Sequence, residues 1–379
     1  MRTEAIRQNM TARLRAPFAR ALDFVRADDA ETVQVRRFGA VALAPALLLA
    51  LGAGLGGFWA PGALVYITVI AWAMDRLLAG SAHGPAPHLP DTGGFPLANR
   101  LSVTLALAHF ALLPLMLWAI AGDSGHSTAA RVALFLGAGL FFGQISNANA
   151  HELIHRSRRS LFRLGMWVYI SLLFGHHTSA HRRIHHRHVA TGHDPNSARR
   201  GESFYAFALR AWPDGFTAGH EIETTLRRRA GAGGPHPYVT YLGGAFLCLA
   251  AATWAFGLAG LAVYLGLAAH AQAQLLLSDY VQHYGLVRRR LPGPVERYEP
   301  VRARHSWNAP HRFSGAMMLN APRHSDHHTH PARAWPALEL PEDAPRLPYS
   351  LPVMAALALV PPLWHRVMDP LLDDLAREM

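Results

Sequence analysis

The chain has 379 residues; its 36 basic side chains, all Arg, stand against 25 acids for a formal charge of +11, and its one cysteine, Cys248, excludes an internal disulfide framework or a Cys₄ iron–sulfur site. Hydrophobic residues make up 51% and charged residues 16%, too apolar for a disordered or solvated tail, which points to a membrane protein. His numbers 24, nearly as many as all the acids together, so imidazole is in unusual supply.

Residues 1 to 37 are polar with eight Arg, and no small-residue cleavage site follows a short apolar core, which predicts a cytoplasmic N-terminal segment and no signal peptide. Apolar stretches then run from 38 to 60 and from 63 to about 74, joined by a tight turn in GGFWAPG. A second pair, 101 to 120 and about 132 to 150, has members near the ~20 residues that cross a bilayer. After a long polar section, 151 to 237, a third pair covers 238 to 256 and 258 to about 277, parted by Gly257. The pattern predicts an all-α integral membrane protein with six transmembrane helices. The links on one side are nearly free of Arg, whereas RSRRSLFR, LRRRA and LVRRR lie on the other, so both termini are expected in the cytoplasm. These Arg residues flank apolar spans and form no separate domain, which argues against nucleic acid. The stretch 161 to 175 is too short to span and predicts an interfacial or re-entrant helix. In the tail, Pro361, Pro362 and Pro370 predict a short segment lying on the membrane surface. The organisation expected is thus a segment 1–37, a catalytic membrane domain 38–335 and a C-terminal tail 336–379.

Nine His fall between 151 and 193 and six between 305 and 330, which core packing does not produce. HELIH places His151 and His155 at i and i+4, on one face of a helix and toward one ion. HRRIHH presents His181, His185 and His186, and HSDHH presents His324, His327 and His328. HExxH alone suggests a zinc protease, but eight or more imidazoles exceed the need of one tetrahedral Zn²⁺ and suit two ions of higher coordination number, with iron the redox-active candidate. His151 just beyond the fourth span and His283 just beyond the sixth place the site at the cytoplasmic end of the bundle. That position suits a lipid-dissolved substrate meeting a soluble electron donor.

HELIHR at 151–156, HRRIHHRHVATGHDPNSAR at 181–199, DYVQHYGL at 279–286, HSWN at 305–308 and RHSDHH at 323–328 resemble the histidine boxes of the membrane-bound alkane 1-monooxygenases. That family belongs to a wider group with xylene monooxygenase and the fatty acid desaturases, and the resemblance spans roughly residues 38 to 335. It implies six transmembrane helices in the bacterial inner membrane, two non-haem irons and terminal hydroxylation of an alkane with O₂. It also implies electrons from rubredoxin and its NAD(P)H-dependent reductase. The ligands it implies are His151, His155, His181, His185, His186, His283, His324, His327 and His328; the clusters alone single out eight of these and leave His283 open. Glu152, Asp279, His305 and Asp326 stand where they can orient ligating imidazoles through the second nitrogen. The family also places a chain-length-limiting residue on the second span, near Ile67, with Trp72 a further candidate for the channel. Three departures touch this pattern: Ala180 replaces an acid before the second box, Gln282 replaces a Glu before His283, and His193-Asp194-Pro195 replaces Glu-Asp-Pro. They put the alkane substrate in question. The runner-up is a desaturase or a hydroxylase of another lipid, aromatic or terpenoid substrate. A metal transporter is the reading from a different class, and it needs polar ligands near the bilayer midplane.

Overall fold

Inside a bilayer every backbone amide needs an internal partner, and long runs of Ala, Leu, Val and Gly meet that need as helices. The computed structural model describes residues 30–79 and 94–378; residues 1–29 of the expected N-terminal segment lie outside the described residues. Five helices are long and apolar enough to cross a membrane. These are α1 (Ala30–Leu55), α2 (Gly57–Leu78), α3 (Pro96–Ala121), α4 (Thr128–Ile154) and α8 (Pro237–His283). Between and after them come α5 (Arg159–Ser171), α6 (177–188), α7 (Phe204–Ala230), α9 (Arg312–Met317), α10 (His324–Thr329), α11 (Leu351–Ala358) and α12 (Pro361–Glu378). One small hairpin, β1 (Arg290–Leu291) with β2 (Arg297–Tyr298), is antiparallel.

The helix boundaries differ from the apolar runs for identifiable reasons. Helix α1 is already helical at Ala30, where the described residues begin, eight residues before the apolar stretch. Its Glu31 carboxylate accepts from the backbone N–H groups of Leu97 and Ala98 at 2.9 and 3.0 Å, which ties its first turn to the start of α3. The link between α1 and α2 runs through GGFWAPG as expected, with a 3₁₀ turn at Gly57–Trp59 before regular helix from Gly62, and it opens at Gly56. Its φ is 61°, and a Cβ there would lie 2.6 Å from His126 Nδ1, so only glycine fits. At the end of α3, Arg131 donates to the carbonyls of Ile120, Gly122 and His126, satisfying helix-end acceptors.

Helix α8 has 47 residues, a run of about 70 Å if straight and more than twice the hydrocarbon thickness. It breaks at Gly257, with φ 64° and ψ −164°, where the sequence predicts the link of the third pair. The helical backbone of α4 continues to Ile154 and that of α8 to His283, so His151 and His283 sit in last helical turns and not beyond the helices. Helix α5 is 13 residues long, about 20 Å, and packs against the end of α4.

The tail is not a loose surface segment. Pro361 and Pro362 open α12, where a missing N–H costs nothing, and the helix buries Trp364 and Met368 against Tyr280 and Tyr284 of the α8 terminus. Tyr284 Oη also hydrogen-bonds His365 and Asp369 at 2.8 Å each. This second apolar cluster holds the end of α8, and with it His283, in place.

Candidate metal centre

Four chain segments bring imidazoles to one end of the helices: the last turn of α4 and the residue after it, α6, the end of α8, and α10. Their nitrogens converge as two sets. His151, His155, His181, His186 and His327 form one; His185, His283, His324 and His328 form the other; within each set the potential donor atoms lie within 4.8 Å of one another. Among the described residues neither set includes a carboxylate. All nine imidazoles singled out by sequence or resemblance are brought together, and none is left over.

The division between the sets departs from simple helical spacing. His151 and His155 at i, i+4 share a set, as do His324 and His328. His181 and His185, also i, i+4, do not. Residues 181–185 form a π turn, in which the i and i+5 positions approach one another, and His181 shares its set with His186. His327 leaves its neighbours for the first set, so α6 and α10 each serve both.

The spacing of the nitrogens fits bound cations. His181 Nε2 lies 3.1 Å from His155 Nε2 and 2.9 Å from His186 Nε2, and His186 Nε2 lies 3.0 Å from His327 Nε2. In the other set His324 Nε2 is 3.0 Å from His283 Nε2 and 3.1 Å from His328 Nε2. A ring nitrogen carries either one proton or one lone pair and makes one directed hydrogen bond. His181, His186 and His324 each face two partners, which hydrogen bonding does not satisfy and a shared cation does. With metal–nitrogen bonds of about 2.1 Å, adjacent ligands lie about 3.0 Å apart in octahedral or square-pyramidal sites and about 3.4 Å apart in tetrahedral ones. The observed 2.9–3.1 Å matches the former. His151 Nε2 and His185 Nε2 complete the picture as buried nitrogens with no hydrogen-bond partner.

Protonation also favours ligation. Burial first, then neighbouring imidazolium or guanidinium charge, pulls His155, His181, His186, His324, His327 and His328 well below the ordinary histidine range. They are neutral donors at pH 7. His185 is the exception: burial opposes its charge, but the Asp194 carboxylate outweighs burial and raises it. Asp194 Oδ2 accepts from His185 Nδ1 at 2.8 Å and from Ser197 Oγ at 2.7 Å, while its Oδ1 accepts from the Asn196 N–H at 3.1 Å. This leaves His185 Nε2 as the lone-pair donor. Sequence reasoning noticed Asp194 only within a departure from the family; its signal is an acid nine residues after a ligating His.

The four residues expected to orient imidazoles make other contacts. Glu152 accepts from Arg156 and from the Trp335 N–H. Asp279 accepts from Asn196 Nδ2 at 2.5 Å. His305 contacts Arg302, Arg304 and Glu299, and its backbone, not its ring, interacts with His283. Asp326 accepts from Arg333, His330 and the Glu339 N–H. These bonds clamp the ligand-bearing segments to their surroundings; none of the four side chains bonds a ligand imidazole. Of the departures, Ala180 is buried where the α6 backbone meets Gly219 of α7, Gln282 accepts from Ser278 Oγ at 2.7 Å, and His193 pairs with Glu296 on the surface.

A cavity reaches the metal centre from inside the helices, lined by Gln144, Asn147, His151, Gln274, Ser278 and His324, and thus touches both sets. A second cavity, lined by Ile67, Trp72, Leu140 and Val353, shares Gln144, Gln274, Pro352 and Ala355 with the first. Ile67 is buried and Trp72 is 53% exposed on α2, so the second cavity reaches toward the apolar exterior and the first, which adjoins it, reaches the imidazoles. Gln144 Nε2 donates to Gln274 Oε1 at 3.2 Å across the junction. π turns at 66–70 and 141–146 place Ile67 and Gln144 along these cavities. His109 bonds Ser171 Oγ at 2.8 Å and takes no part in either set.

The fatty acid desaturase family matches residues 127–355, which contain all nine imidazoles. Alkane 1-monooxygenase 2 of Pseudomonas aeruginosa is 33% identical over 342 residues, 86% of this chain and 89% of that protein. Alkane 1-monooxygenase 1 of the same organism is 31% identical over 326 residues, 83% of each chain. The xylene/toluene monooxygenase hydroxylase component of Pseudomonas putida is 28% identical over 232 residues, 58% of each. The chain belongs to the alkane 1-monooxygenase family within the fatty acid desaturases.

Proposed function

We propose that this chain is a membrane-bound monooxygenase that hydroxylates a terminal, unactivated C–H of an alkane or similar apolar chain. One atom of O₂ enters the new C–O bond, and the other leaves as water with two electrons and two protons. The observation that carries this reading is the convergence of nine imidazoles, with no carboxylate among them, beside two adjoining cavities, one of which reaches the imidazoles and the other Trp72 on the exposed face of α2. Iron is the metal the donor set suits: neutral nitrogens at octahedral spacing hold a redox-active divalent ion, where tetrahedral zinc would spread them further. Two irons held there supply the activation of O₂.

The chain's own residues bind, orient and exclude water. Asp194 fixes the tautomer and ring plane of His185. Ile67 and Trp72 admit and measure the apolar chain, and Gln144 with Gln274 stands at the junction through which its terminus reaches His151 and His324. Glu152, Asp279, His305 and Asp326 hold the ligand-bearing segments in register. The buried apolar walls keep bulk water from the reacting carbon.

Six crossings follow if each arm of α8 spans the bilayer. The Arg-rich segments 156–163, 182–187, 227–229 and 288–290 then lie on the cytoplasmic side of a bacterial inner membrane, together with both termini and the metal centre. Rubredoxin, reduced by its NAD(P)H-dependent reductase, fits as the acidic donor for this basic face. The test is turnover of mixed alkanes and fatty acyl chains by purified protein with rubredoxin, reductase and NADH under ¹⁸O₂. A terminal alcohol carrying ¹⁸O supports the proposal; an olefin without added oxygen moves the chemistry to desaturation and overturns it.

A further inference from the structure

Away from the metal centre, a cleft of about 500 Å³ opens between α5, α6, α7 and the first turn of α8. Arg163, Arg182 and Arg183 line it, and among the described residues none of the three forms a hydrogen bond or ion pair. Arg182 is held in place by stacking over the Phe162 ring, 4.9 Å from its centroid. Glu223 is the one acid in the lining, and it accepts from Ser179 Oγ at 2.8 Å. The cleft therefore carries a net positive charge that the protein does not neutralise. Thr178 also lines it; its side chain is 98% buried, at 2% exposure, and its hydroxyl has no partner. A buried hydroxyl beside uncompensated guanidiniums is a surface prepared for an oxyanion.

The position of the cleft indicates which one. Pro237, Thr240 and Tyr241, at the very start of the apolar α8, form one wall. One and two turns further along, Leu242, Phe246 and Leu247 are 54%, 68% and 64% exposed, an apolar strip that no other described residue covers. Trp167, 40% exposed, sits on the rim of the cleft, the placement of an aromatic at the headgroup level. A free anion or an acidic protein would not need this apolar continuation.

We propose that this cleft binds the phosphate headgroup of an anionic phospholipid, with the guanidiniums of Arg163, Arg182 and Arg183 on the phosphate and the acyl chains along Leu242 and Phe246. The site rests on α8 lying in a membrane and is independent of the reaction at the metals. The cleft backs onto α6, which carries His181 and His185, so a bound lipid buttresses that helix from the side opposite the ions.

The test uses the full chain, delipidated in neutral detergent and titrated with phosphatidylglycerol or phosphatidylcholine of the same chain length, with bound lipid counted by native mass spectrometry. Phosphatidylglycerol is expected to bind at one per chain, in preference to phosphatidylcholine. Arg163→Gln is expected to weaken that preference about fivefold, and Arg163→Gln with Arg183→Gln about thirtyfold. Arg163→Lys should retain most of it, and Glu223→Gln should strengthen it severalfold, a gain that misfolding does not produce. An unchanged preference in the double variant overturns the proposal. So does displacement of the lipid by millimolar inorganic phosphate, which would make the cleft a free-phosphate site. A raised KM for rubredoxin in the double variant with lipid binding intact would assign it to an acidic protein.

Discussion

Asp194→Asn isolates the role of one buried charge. The carboxylate accepts from His185 Nδ1, from Ser197 Oγ and from the Asn196 N–H, and its side chain is fully buried. Asparagine keeps the shape but turns one acceptor into a donor, either at the Oδ2 position, which faces both His185 and Ser197, or at the Oδ1 position, which faces the Asn196 N–H. If the amide group takes the Oδ2 position, the imidazole is driven to the tautomer with the proton on Nε2 and no lone pair for the ion; if it takes the Oδ1 position, it opposes the Asn196 N–H, and in both cases the charge that raises the basicity of His185 is lost. Changing such a partner behind a metal-bound histidine costs about 10- to 100-fold in metal affinity, or about 1.4 to 2.7 kcal/mol. The four-imidazole set should bear all of that loss, because the other set contains none of Asp194's partners. Iron per chain, followed during a chelator titration of detergent-purified protein, should fall in one step in the wild type and in two in the variant, the first shifted by the stated factor. Both irons leaving together, at wild-type chelator concentration, would refute the assignment of Asp194 to His185.

His324→Ala should lower iron to about one per chain and abolish turnover, since it cuts a set of four donors to three and removes the nitrogen that contacts both His283 and His328; His181→Ala leaves four donors in its set and should retain more metal, as elemental analysis will read. Ile67→Ala enlarges the α2 cavity and should raise kcat/KM for longer chains relative to shorter ones by about tenfold, with Ile67→Phe acting in the opposite direction. Trp364→Ala removes a fully buried ring from between Tyr280 and Tyr284 and should cost about 3–5 kcal/mol, seen as a lower Tm and faster proteolysis of the tail.

Composition and apolar run length were sufficient to read helices and a membrane protein, and clustering picked out eight of the nine imidazoles whose nitrogens meet, while His283, alone at the end of α8, was left to the family resemblance. Local spacing carries information only along one helix, however. It places His151 beside His155, but it has no means of sending His181 and His185 to different ions, because the π turn that separates them is set by how α6 packs between its neighbours. The same limit hid Asp194, which acts through a fold-back of nine residues, and misassigned Asp326, whose carboxylate is taken by Arg333 and His330. Helices run past the apolar stretches where polar residues continue them: Glu31 accepts from backbone N–H groups at the start of α3, and HELIH, read as helical, continues α4. In the tail Pro361 and Pro362 look like interruptions in a sequence, whereas at the first turn of α12 they are compatible with a packed helix.

The most direct test of two all-imidazole iron sites is Mössbauer spectroscopy of the reduced, ⁵⁷Fe-grown protein, combined with metal quantification. Five donors in one set and four in the other predict about two irons per chain, little zinc, and two ferrous signals of equal area with distinct parameters. One iron per chain, a single ferrous environment, or zinc in place of iron would contradict the account.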